Sequence, residues 1–340
     1  MTSVGIDTHK ATLAACAVDE LGSSIAERTF RNDPGGHEAL AVWVREVEAG
    51  VIGFEGSSSY GAAAARHLAA LGLVVREVPP HLSHRERVRT RRPGKSDPTD
   101  ALAIARVAAR EQKLPPVRLA DAGEDLGLLV RAREELVTEA TQVRNRLHAD
   151  LVVLLPGYGA KAGNLVAARH RNAIALEVAT LPGIRAELAR SRLERLSELG
   201  RTISAFEARI GVLLGDHPLL AVPGIRALTA AKLVAETGDV GRFRSADAFA
   251  MLAGTAPIPA SSGQTQRVRL NRGGNRQLNR ALHVVALAQA AHHPEAQAYV
   301  ARKREEGKTW REAIRALKRH LARVVFRILL RAALRVPMAA

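Results

Sequence analysis

Two aspartates three residues apart are the first feature of the sequence that could do chemistry. Asp97 and Asp100 lie in the segment Lys-Ser-Asp-Pro-Thr-Asp-Ala-Leu-Ala, at the predicted start of a helix that continues to about Ala109. Asp97 is a suitable N-cap, and Pro98 suits the first helical position. Because residues three apart lie on one side of a helix, the two carboxylates repel each other unless a cation such as Mg²⁺ lies between them. The alternative is a capping residue followed by a solvated acid in the first turn.

Two further acids each follow a short apolar segment that predicts a buried strand. Asp7 follows Val4-Gly-Ile6, and Glu55 follows Val51-Ile-Gly-Phe54. In open α/β sheets, functional sites form at the carboxyl ends of strands. Either acid alone would more commonly cap a neighbouring loop. Together, the four acids are the parts of a two-metal phosphodiester site, in which the ions lie ~4 Å apart.

The first 110 residues or so must position these acids, and their pattern predicts a mixed α/β layer. The predicted element order is β-β-β-α-β-α-β-α. Strands are expected near residues 4–6, 12–18, 24–30, 51–54 and 73–78, and helices near 35–49, 60–71 and 97–109. The single cysteine, Cys16, falls in the second strand and is predicted to be a small core residue, which excludes an internal disulfide.

A run of basic residues separates the last of these strands from the acidic pair. It extends from His84 to Lys95 and contains Pro93-Gly94, which predicts a mobile loop. Basic runs are most often solvated surface. Because this one adjoins the acids, we expect it to contact nucleic-acid backbone and to offset carboxylate charge, through Arg89, Arg91, Arg92 and Lys95.

The middle of the chain predicts two long helices, from about residue 125 to 154 and from about 185 to 214. In the second, apolar residues recur at alternating spacings of three and four, which is a heptad seam: Leu196, Leu199, Ile203, Phe206, Ile210 and Leu213. An intramolecular helical hairpin explains this pattern well. A coiled-coil arm between subunits is the functional alternative, and the family resemblance described below favours it.

A serine pair followed by arginines is the chemical feature of the C-terminal part. Ser261 and Ser262 precede Gly263 in a stretch that predicts a polar hairpin. A serine needs activation before it can attack phosphorus, and no histidine base is evident beside this pair. Metal ions or arginines would have to help, and five arginines follow within eighteen residues of Ser262: Arg267, Arg269, Arg272, Arg276 and Arg280.

The last predicted helix, from about residue 309 to 335, carries arginines four residues apart opposite an apolar face. Its arginines are Arg311, Arg315, Arg319, Arg323 and Arg327. Only Glu312 interrupts them within the helix, so we interpret the stripe as a phosphate-tracking surface. Further upstream, the segment Val222-Pro-Gly-Ile-Arg226 before a helix is similar to the turn of a helix–hairpin–helix module, which presents backbone N–H groups to phosphates.

Composition and charge limit the classes of partner that the protein is expected to bind. The chain has 340 residues with a formal charge of +16, so an anionic polymer is the expected partner. Apolar residues make up 47% but aromatic residues only 3%, which favours helices with cores of Ala, Leu and Val. No apolar run approaches the roughly 18–20 residues of a transmembrane helix, and the N-terminus has no signal-peptide pattern. We therefore expect a soluble, cytoplasmic, nucleoid-associated protein without a membrane partner.

The two groups of motifs resemble those of one protein family. Gly5-Ile-Asp7-Thr-His-Lys10, Phe54-Glu55-Gly-Ser and Lys95-Ser-Asp97-Pro-Thr-Asp100 resemble the Asp-Glu-Asp-Asp signature of the insertion-sequence 110 group of bacterial transposases, relatives of the Piv DNA invertases. The stretch 252–275 resembles the second conserved block of that group. It departs in having Gly-Thr-Ala-Pro where Gly-Leu-x-Pro is usual. The resemblance covers nearly the whole chain.

The resemblance implies a fold, a chemistry and a set of partners. The N-terminal domain would be RNase H-like, as in RuvC-type junction resolvases, and Asp7, Glu55, Asp97 and Asp100 would bind Mg²⁺, for which Mn²⁺ could substitute. Ser262 is the match to that group's nucleophile and would form a covalent phosphoserine intermediate, with Ser261 as the neighbouring alternative. A structured guide RNA would pair with both donor and target DNA. The protein would act as a homo-oligomer (dimer or tetramer) whose subunits are linked through the long helices.

We therefore expect three regions: an α/β catalytic domain over residues 1–115, a coiled-coil region over 116–220, and a mainly helical transposase domain over 221–340. Two other functions fit the same residues. One is a metal-dependent junction nuclease or invertase that uses the acids alone, with Ser262 as a structural residue. The other is a non-catalytic nucleic-acid-binding protein.

Overall fold

The computed structural model describes residues 1–57, 59–89, 97–117, 122–159, 165–259, 268–269, 271 and 273–334. The chain divides into two units, Met1–Ala120 and Asp121–Ala340. The finer division into three regions stays a prediction. An α/β first unit followed by a helical second unit agrees with the predicted fold class at this coarser level.

A five-stranded mixed sheet forms the first unit. Its strands are β1 (Thr2–Thr8), β2 (Thr12–Val18), β3 (Ser24–Arg31), β4 (Ala49–Phe54) and β5 (Val75–Glu77). Their spatial order is β3-β2-β1-β4-β5. The first three strands pair antiparallel as a meander, whereas β4 and β5 run parallel to β1. The five predicted strands are therefore all present, and each bound matches the prediction or differs from it by one or two residues.

Helices cover both faces of this sheet. They are α1 (Pro34–Glu46), α2 (Ala62–Ala70), α3 (Pro80–Arg89) and α4 (Asp97–Arg110). The alternating side chains Ile6, Ile52 and Phe54 pack with Leu40 of α1 and Leu68 of α2 on one face. On the other face, Ala14 and Cys16 of β2 pack against Ala101, Leu102 and Ala105 of α4. Cys16 is a free, buried thiol, as predicted for a core residue.

Helix α3 was not predicted, because Pro79-Pro80 was interpreted only as the stop of a strand. Pro80 is instead the first residue of the helix, where its fixed φ and missing N–H do no harm. The helix takes in the basic residues up to Arg89, so the predicted loop is helical as far as that residue. Arg110 Nη1 donates to Glu86 Oε2 at 2.7 Å and ties α4 to α3.

Two adjacent glycines let α4 lie directly on the sheet. Gly5 of β1 and Gly53 of β4 are partners in the parallel register. A Cβ atom added to Gly5 would overlap the backbone of Ala101 and Ala105 in α4. A Cβ atom at Gly53 would lie 2.9 Å from the Ala108 methyl group. These two positions therefore have no room for a side chain, and the helix approaches the strands at backbone distance.

Within its described residues, the second unit consists of helices, short 3₁₀ turns and one short strand pair. Its helices are α5 (Ala122–Leu154), α6 (Ala168–Ala179), α7 (Ile184–Leu214), α8 (Ala227–Thr237), α9 (Ala246–Leu252), α10 (Arg276–His292), α11 (Pro294–Glu305) and α12 (Trp310–Ala333). The strands β6 (Ile258–Pro259) and β7 (Val268–Arg269) pair antiparallel. Short 3₁₀ turns occur at Pro218–Ala221 and Val240–Arg242. Both long helices thus begin and end within a few residues of the prediction.

Helices α5 and α7 pack along one another as an intramolecular pair. Leu196, Leu199 and Ile210 of the predicted seam are buried, but Leu213 is 41% exposed and Leu214 is buried in its place. A straight helix drifts by about 20° per heptad relative to a strict seven-residue repeat, so the last seam position moves by one residue. A coiled coil between subunits stays a prediction. None of the helices that the structure describes is long and apolar enough to span a membrane.

The glycine at position 5 gives a sharp test of this packing. Replacing Gly5 by Ala should lower the free energy of unfolding by roughly 1–3 kcal/mol or more, because α4 must move away from β1. Gly35→Ala is the matched control, since its Cβ would meet only Asp33 Oδ1, at 3.6 Å. Urea unfolding of both variants measures the difference. Equal stability of the two variants would contradict the close approach.

Candidate functional site

The strand register places Asp7 and Glu55 on the face of the sheet that carries α4. Each lies two residues beyond one of the paired glycines, and side chains two apart in a strand share a face. The ladder continues past β4, because the Glu55 N–H donates to the Ile6 carbonyl at 3.2 Å. Asp100 precedes Ala101, one of the α4 residues that Gly5 meets. The structure therefore brings three of the four predicted acids to one edge of the sheet.

Asp7 is the acid of this edge whose contacts and pKa show the proximity of the other carboxylates. Its Oδ1 accepts the Thr8 N–H at 3.0 Å, and its Oδ2 lies 3.4 Å from His9 Nε2. Burial raises the pKa of Asp7, and the charges of Asp100 and Glu55 raise it further, against the lowering effect of His9. His9, which the sequence left without an assigned partner, is thus a neighbour of the acid cluster.

Asp100 is buried and faces a cation from α3. Arg87 Nη1 lies 2.9 Å from Asp100 Oδ1 as an ion pair, without the alignment of a good hydrogen bond. The basic run was expected to offset carboxylate charge, and within the described residues Arg87 does so although we had not selected it. Its signal was its position in the run, since α3 turns it toward α4. Asp97 begins α4, and its side chain lies outside the described atoms.

A fifth acid, Glu77, was missed by the sequence reasoning. It ends β5 beside Phe54 of β4, and its carboxylate accepts hydrogen bonds from Ser57 Oγ and from the backbone of Gly56 and Ser57. Burial raises the pKa of Glu77 to about 7, and the charge of Glu55 contributes to the rise. The available signal was an acid at the end of a third parallel strand, on the same edge of the sheet.

The donor chemistry of this edge fits a hard divalent cation. All the candidate ligands are carboxylates, which Mg²⁺ and Mn²⁺ prefer, and the mutual repulsion that raises the pKa of Asp7 is what a cation relieves. The arrangement is not a finished cage. Within the described atoms, no three His, Cys, Asp or Glu side chains are close enough to hold a metal ion. Two of the acids are instead engaged by protein groups: Ser83 Oγ donates a hydrogen bond to Glu55 Oε2, and Arg87 forms an ion pair with Asp100.

The serine pair of the second unit belongs to the hairpin between β6 and β7. Ile258 pairs with Arg269 and Pro259 with Val268, so the chain leaves and returns at one point. Ser261 and Ser262 lie outside the described residues, as do Arg267 and Arg272. The described part of the hairpin is its base.

A network of asparagines and glycines holds that base. Asn279 Nδ2 donates to the carbonyls of Ala253 (2.9 Å) and Gly254 (3.0 Å), and its Oδ1 accepts from Lys318 Nζ at 2.6 Å. Gly274 fits against the Gly254 backbone, where an added Cβ atom would overlap it. Lys318 is a buried lysine of α12, and burial lowers its pKa. The last helix is therefore bonded through Asn279 to the turn that precedes the serine hairpin.

The arginine stripe of α12 is partly engaged within the second unit. Arg323 Nη2 donates to Asp247 Oδ1 of α9 at 2.9 Å, and Arg319 Nη2 lies 3.8 Å from the same oxygen. The hydrogen bond from Arg323 lowers the pKa of Asp247. Arg315 lies 3.8 Å from Glu312. Acids on another helix escaped the sequence analysis, which considered only the acids within α12.

The remaining residues that were predicted to bind nucleic acid fall into two groups, those that are exposed in the structure and those outside its described residues. Arg311 and Arg315 on α12, Arg276 at the start of α10, Arg269 in β7 and Arg89 at the end of α3 are exposed. Arg91, Arg92 and Lys95 lie outside the described residues. The assignment of all of them to nucleic-acid binding stays a prediction.

Comparison with known proteins assigns the chain to a family. A family model for DEDD transposases of IS110 elements, described as a transposase, matches residues 4–156. A second, described as the transposase IS116/IS110/IS902 family, matches residues 216–301. The chain belongs to the IS110 family of transposases. The first matched segment contains all four predicted acids of the transposase, and the second contains Ser261 and Ser262.

Curated relatives support the assignment. The transposase is 30% identical to the uncharacterized 43.6 kDa protein of insertion element IS110 from Streptomyces coelicolor, over 69% of its own length and 70% of that protein. It is 27% identical to the uncharacterized 42 kDa protein of insertion element IS900 from Mycobacterium paratuberculosis, over 96% and 94%. A probable family 20 transposase of Pseudomonas aeruginosa is 28% identical over 79% and 78%.

The buried acid Glu77 predicts a pH dependence of stability. Its pKa is raised in the folded transposase, so the stability that it contributes is present below pH 4.5 and is lost as the pH rises through about 7. Replacing Glu77 by Gln removes this loss. The melting temperature of Glu77→Gln minus that of the wild type should therefore increase between pH 5 and pH 8. Glu46→Gln, an exposed acid of α1, should show a constant difference. A constant difference for Glu77→Gln as well would contradict the raised pKa.

Proposed function

We propose that this DNA transposase cuts and rejoins DNA through two groups of its own residues, the acid cluster of the first unit and Ser262 of the second. The observation that carries the proposal is the convergence of Asp7, Glu55 and Asp100 on one sheet edge, where burial raises the pKa of Asp7 and the charges of Asp100 and Glu55 raise it further. Asp97 opens the same helix as Asp100 and is proposed as the fourth ligand. Family membership supports the use of this cluster in strand transfer.

Asp7, Glu55, Asp97 and Asp100 would hold Mg²⁺, or Mn²⁺ in its place. A bound divalent ion neutralises charge on the scissile phosphate and stabilises the departing sugar oxygen. Among the chain's own groups, Arg87 balances the charge of Asp100, and Ser83 orients Glu55 by its hydrogen bond. The mixed sheet, with a three-strand antiparallel meander followed by two parallel strands, supports the proposed RNase H-like fold.

Ser262 is proposed as the nucleophile. Its Oγ would form a bond to phosphorus while the bond from phosphorus to a deoxyribose oxygen breaks. The proton that the serine gives up is balanced by the proton that the departing sugar oxygen takes, so the step needs no oxidant or reductant. The reverse attack by another sugar hydroxyl would release the serine and join the strands. The proposal requires Ser262 to meet the acid cluster on the DNA, within one chain or across subunits.

A structured guide RNA and a homo-oligomer complete the proposal. The formal charge of +16 supports a nucleic-acid partner of either kind. The apolar residues Val152 and Val153 at the end of α5 and Ile184 at the start of α7 are more than half exposed, which supports contact with another subunit there.

The acid cluster is tested by replacing Asp100 with Asn. Strand cleavage in Mg²⁺ should fall by roughly 100-fold or more, because a ligand charge is lost at the scissile phosphate. Retention of DNA in EDTA should stay near the wild-type level, because basic residues supply the affinity. Cleavage of a labelled duplex measures the first effect, and a filter-binding assay measures the second.

Glu46→Gln is the matched control for this experiment, since it removes an exposed acid from the same unit. It should cleave like the wild type. Wild-type cleavage by Asp100→Asn in Mg²⁺, with Glu46→Gln unchanged, would remove Asp100 from the proposed metal site.

The serine is tested with a nicked suicide substrate, which traps a covalent protein–DNA adduct on a denaturing gel. Ser262→Ala should lose both the adduct and recombination, whereas Ser261→Ala should keep much of both. An adduct that vanishes only with Ser261→Ala would move the nucleophile by one residue. An adduct that survives both substitutions would make Ser262 a structural residue of the hairpin, and the absence of any adduct in the wild type would favour a junction nuclease that uses the acids alone.

A further inference from the structure

A cluster of cations without counter-charges lies in the long-helix part of the second unit. There, α5, α6 and the first half of α7 share a core that includes Leu147, Ile174 and Leu193. Arg144 stands one turn before His148 on α5, so the two side chains share a face. Arg171 comes from α6. None of these residues was selected by the sequence analysis.

The three side chains are close enough to repel one another. Burial lowers the pKa of Arg171, and the charge of Arg144 lowers it further. The same two causes, in the same order, lower the pKa of His148. On α7, Gly200 leaves room beside them, because a Cβ atom added there would lie 3.6 Å from Arg171 Nη2.

Two buried N–H groups of this cluster have no acceptor among the described residues. They are the Nε–H groups of Arg144 and Arg171. Arg171 Nη1 donates to the carbonyls of Leu165 and Val166, which fixes its guanidinium against the chain. Arg144 makes no hydrogen bond or ion pair with any residue that the structure describes. Both residues are only half-buried, so the rest of each guanidinium is within reach of solvent.

Neighbouring cations on the same helices are paired with acids. Arg192 pairs with Asp150, Arg195 with Glu139 and Arg133 with Glu207. Residues 160–164, which precede Leu165 in the sequence, are Ala-Lys-Ala-Gly-Asn and contribute no acid. Arg144 and Arg171 differ from these three arginines, because they lie beside each other and pair with no carboxylate among the described residues.

Two adjacent guanidinium groups with unused N–H donors match one class of ligand. Arginine forks bind phosphate oxygens in a bidentate manner, and an oxyanion would satisfy the buried donors and remove the repulsion together. We propose that Arg144 and Arg171 form a binding site for a backbone phosphate of DNA. The proposal rests on the chain being a DNA transposase and is independent of the acid cluster and of Ser262.

The test compares Arg144→Gln with Arg146→Gln in the full-length protein. Arg146 is exposed on the same helix, two residues away and on the opposite side, so it matches the charge change without touching the cluster. Affinity for a duplex of arbitrary sequence is measured in EDTA between 50 and 200 mM salt. Arg144→Gln should bind roughly three- to tenfold more weakly at the lower salt concentrations, with a log–log salt slope smaller by about 0.9. Arg146→Gln should change neither quantity.

A second variant tests the missing counter-charge. Gly200→Asp places a carboxylate beside Arg171, where it would take the position of the phosphate. Its melting temperature should rise in phosphate-free buffer, and its affinity for duplex DNA should fall as in Arg144→Gln. Inorganic phosphate, added at constant ionic strength, should raise the melting temperature of the wild type and of Arg146→Gln more than that of Gly200→Asp.

Several results would overturn the site. Equal losses of affinity in Arg144→Gln and Arg146→Gln would show that only the overall charge matters. A response to inorganic phosphate without any loss of DNA affinity in Arg144→Gln would assign the site to the free ion. Weaker binding of an RNA hairpin with unchanged DNA binding would assign it to RNA. Because these assays use EDTA and no cleavage, failure of the metal or serine proposal does not affect them.

Discussion

The contact between α4 and the sheet at Gly5 and Gly53 is the constraint on which the acid cluster depends. A helix normally stands off a sheet by the length of its side chains, but here two paired glycines let its backbone rest on two strands. Asp7 and Glu55 follow these glycines by two residues each. Because residues two apart in a strand project from the same face, the carboxylates lie on the face that the glycines leave open to α4. Asp100 lies in the first turn of α4 and is therefore brought to the same edge by this helix. Close packing and chemistry are therefore consequences of the same register.

Crowding of acids at this edge is balanced within the first unit by groups that come from α3. Arg87 offsets Asp100, and Ser83 holds Glu55. Glu77 adds a further acid, whose raised pKa keeps it largely protonated below neutral pH. The arginine-rich second unit shows the complementary situation. On α5 and α7, carboxylates pair with Arg133, Arg185, Arg192 and Arg195. Arg144 and Arg171 instead lie beside each other, where an external anion would be stabilised.

Much of the fold was predictable from the sequence because periodicity and turn residues are local signals. The strands, the two long helices and the last helix occur where the alternation of apolar residues placed them. Helix α3 was missed because a proline pair stops a strand and opens a helix equally well. Leu213 was placed in the seam because a strict heptad ignores helical drift. Both errors arise where two local rules give different answers.

The candidate site was predictable only in part, for a different reason. Asp7, Glu55 and Asp100 could be selected because each follows a recognisable strand or opens a helix, and the structure brings these three together. Arg87 and Glu77 had only weak local signals, a place in a basic run and a place at a strand end, and Asp247 had none, because its partners are far away in the sequence. Pairings such as Arg323 with Asp247 depend on how helices pack, which no local pattern contains.

The bond between Lys318 and Asn279 bears on the order in which a new chain becomes competent. The acids of the cluster all lie within the first hundred residues, and N-terminal domains generally fold first during synthesis. The base of the serine hairpin, in contrast, is completed by a lysine of the final helix. A chain still on the ribosome, or one ended early by a stop codon, therefore lacks the residue that anchors the turn before its serine. In the mechanism proposed above, attack by Ser262 would therefore require translation past residue 318.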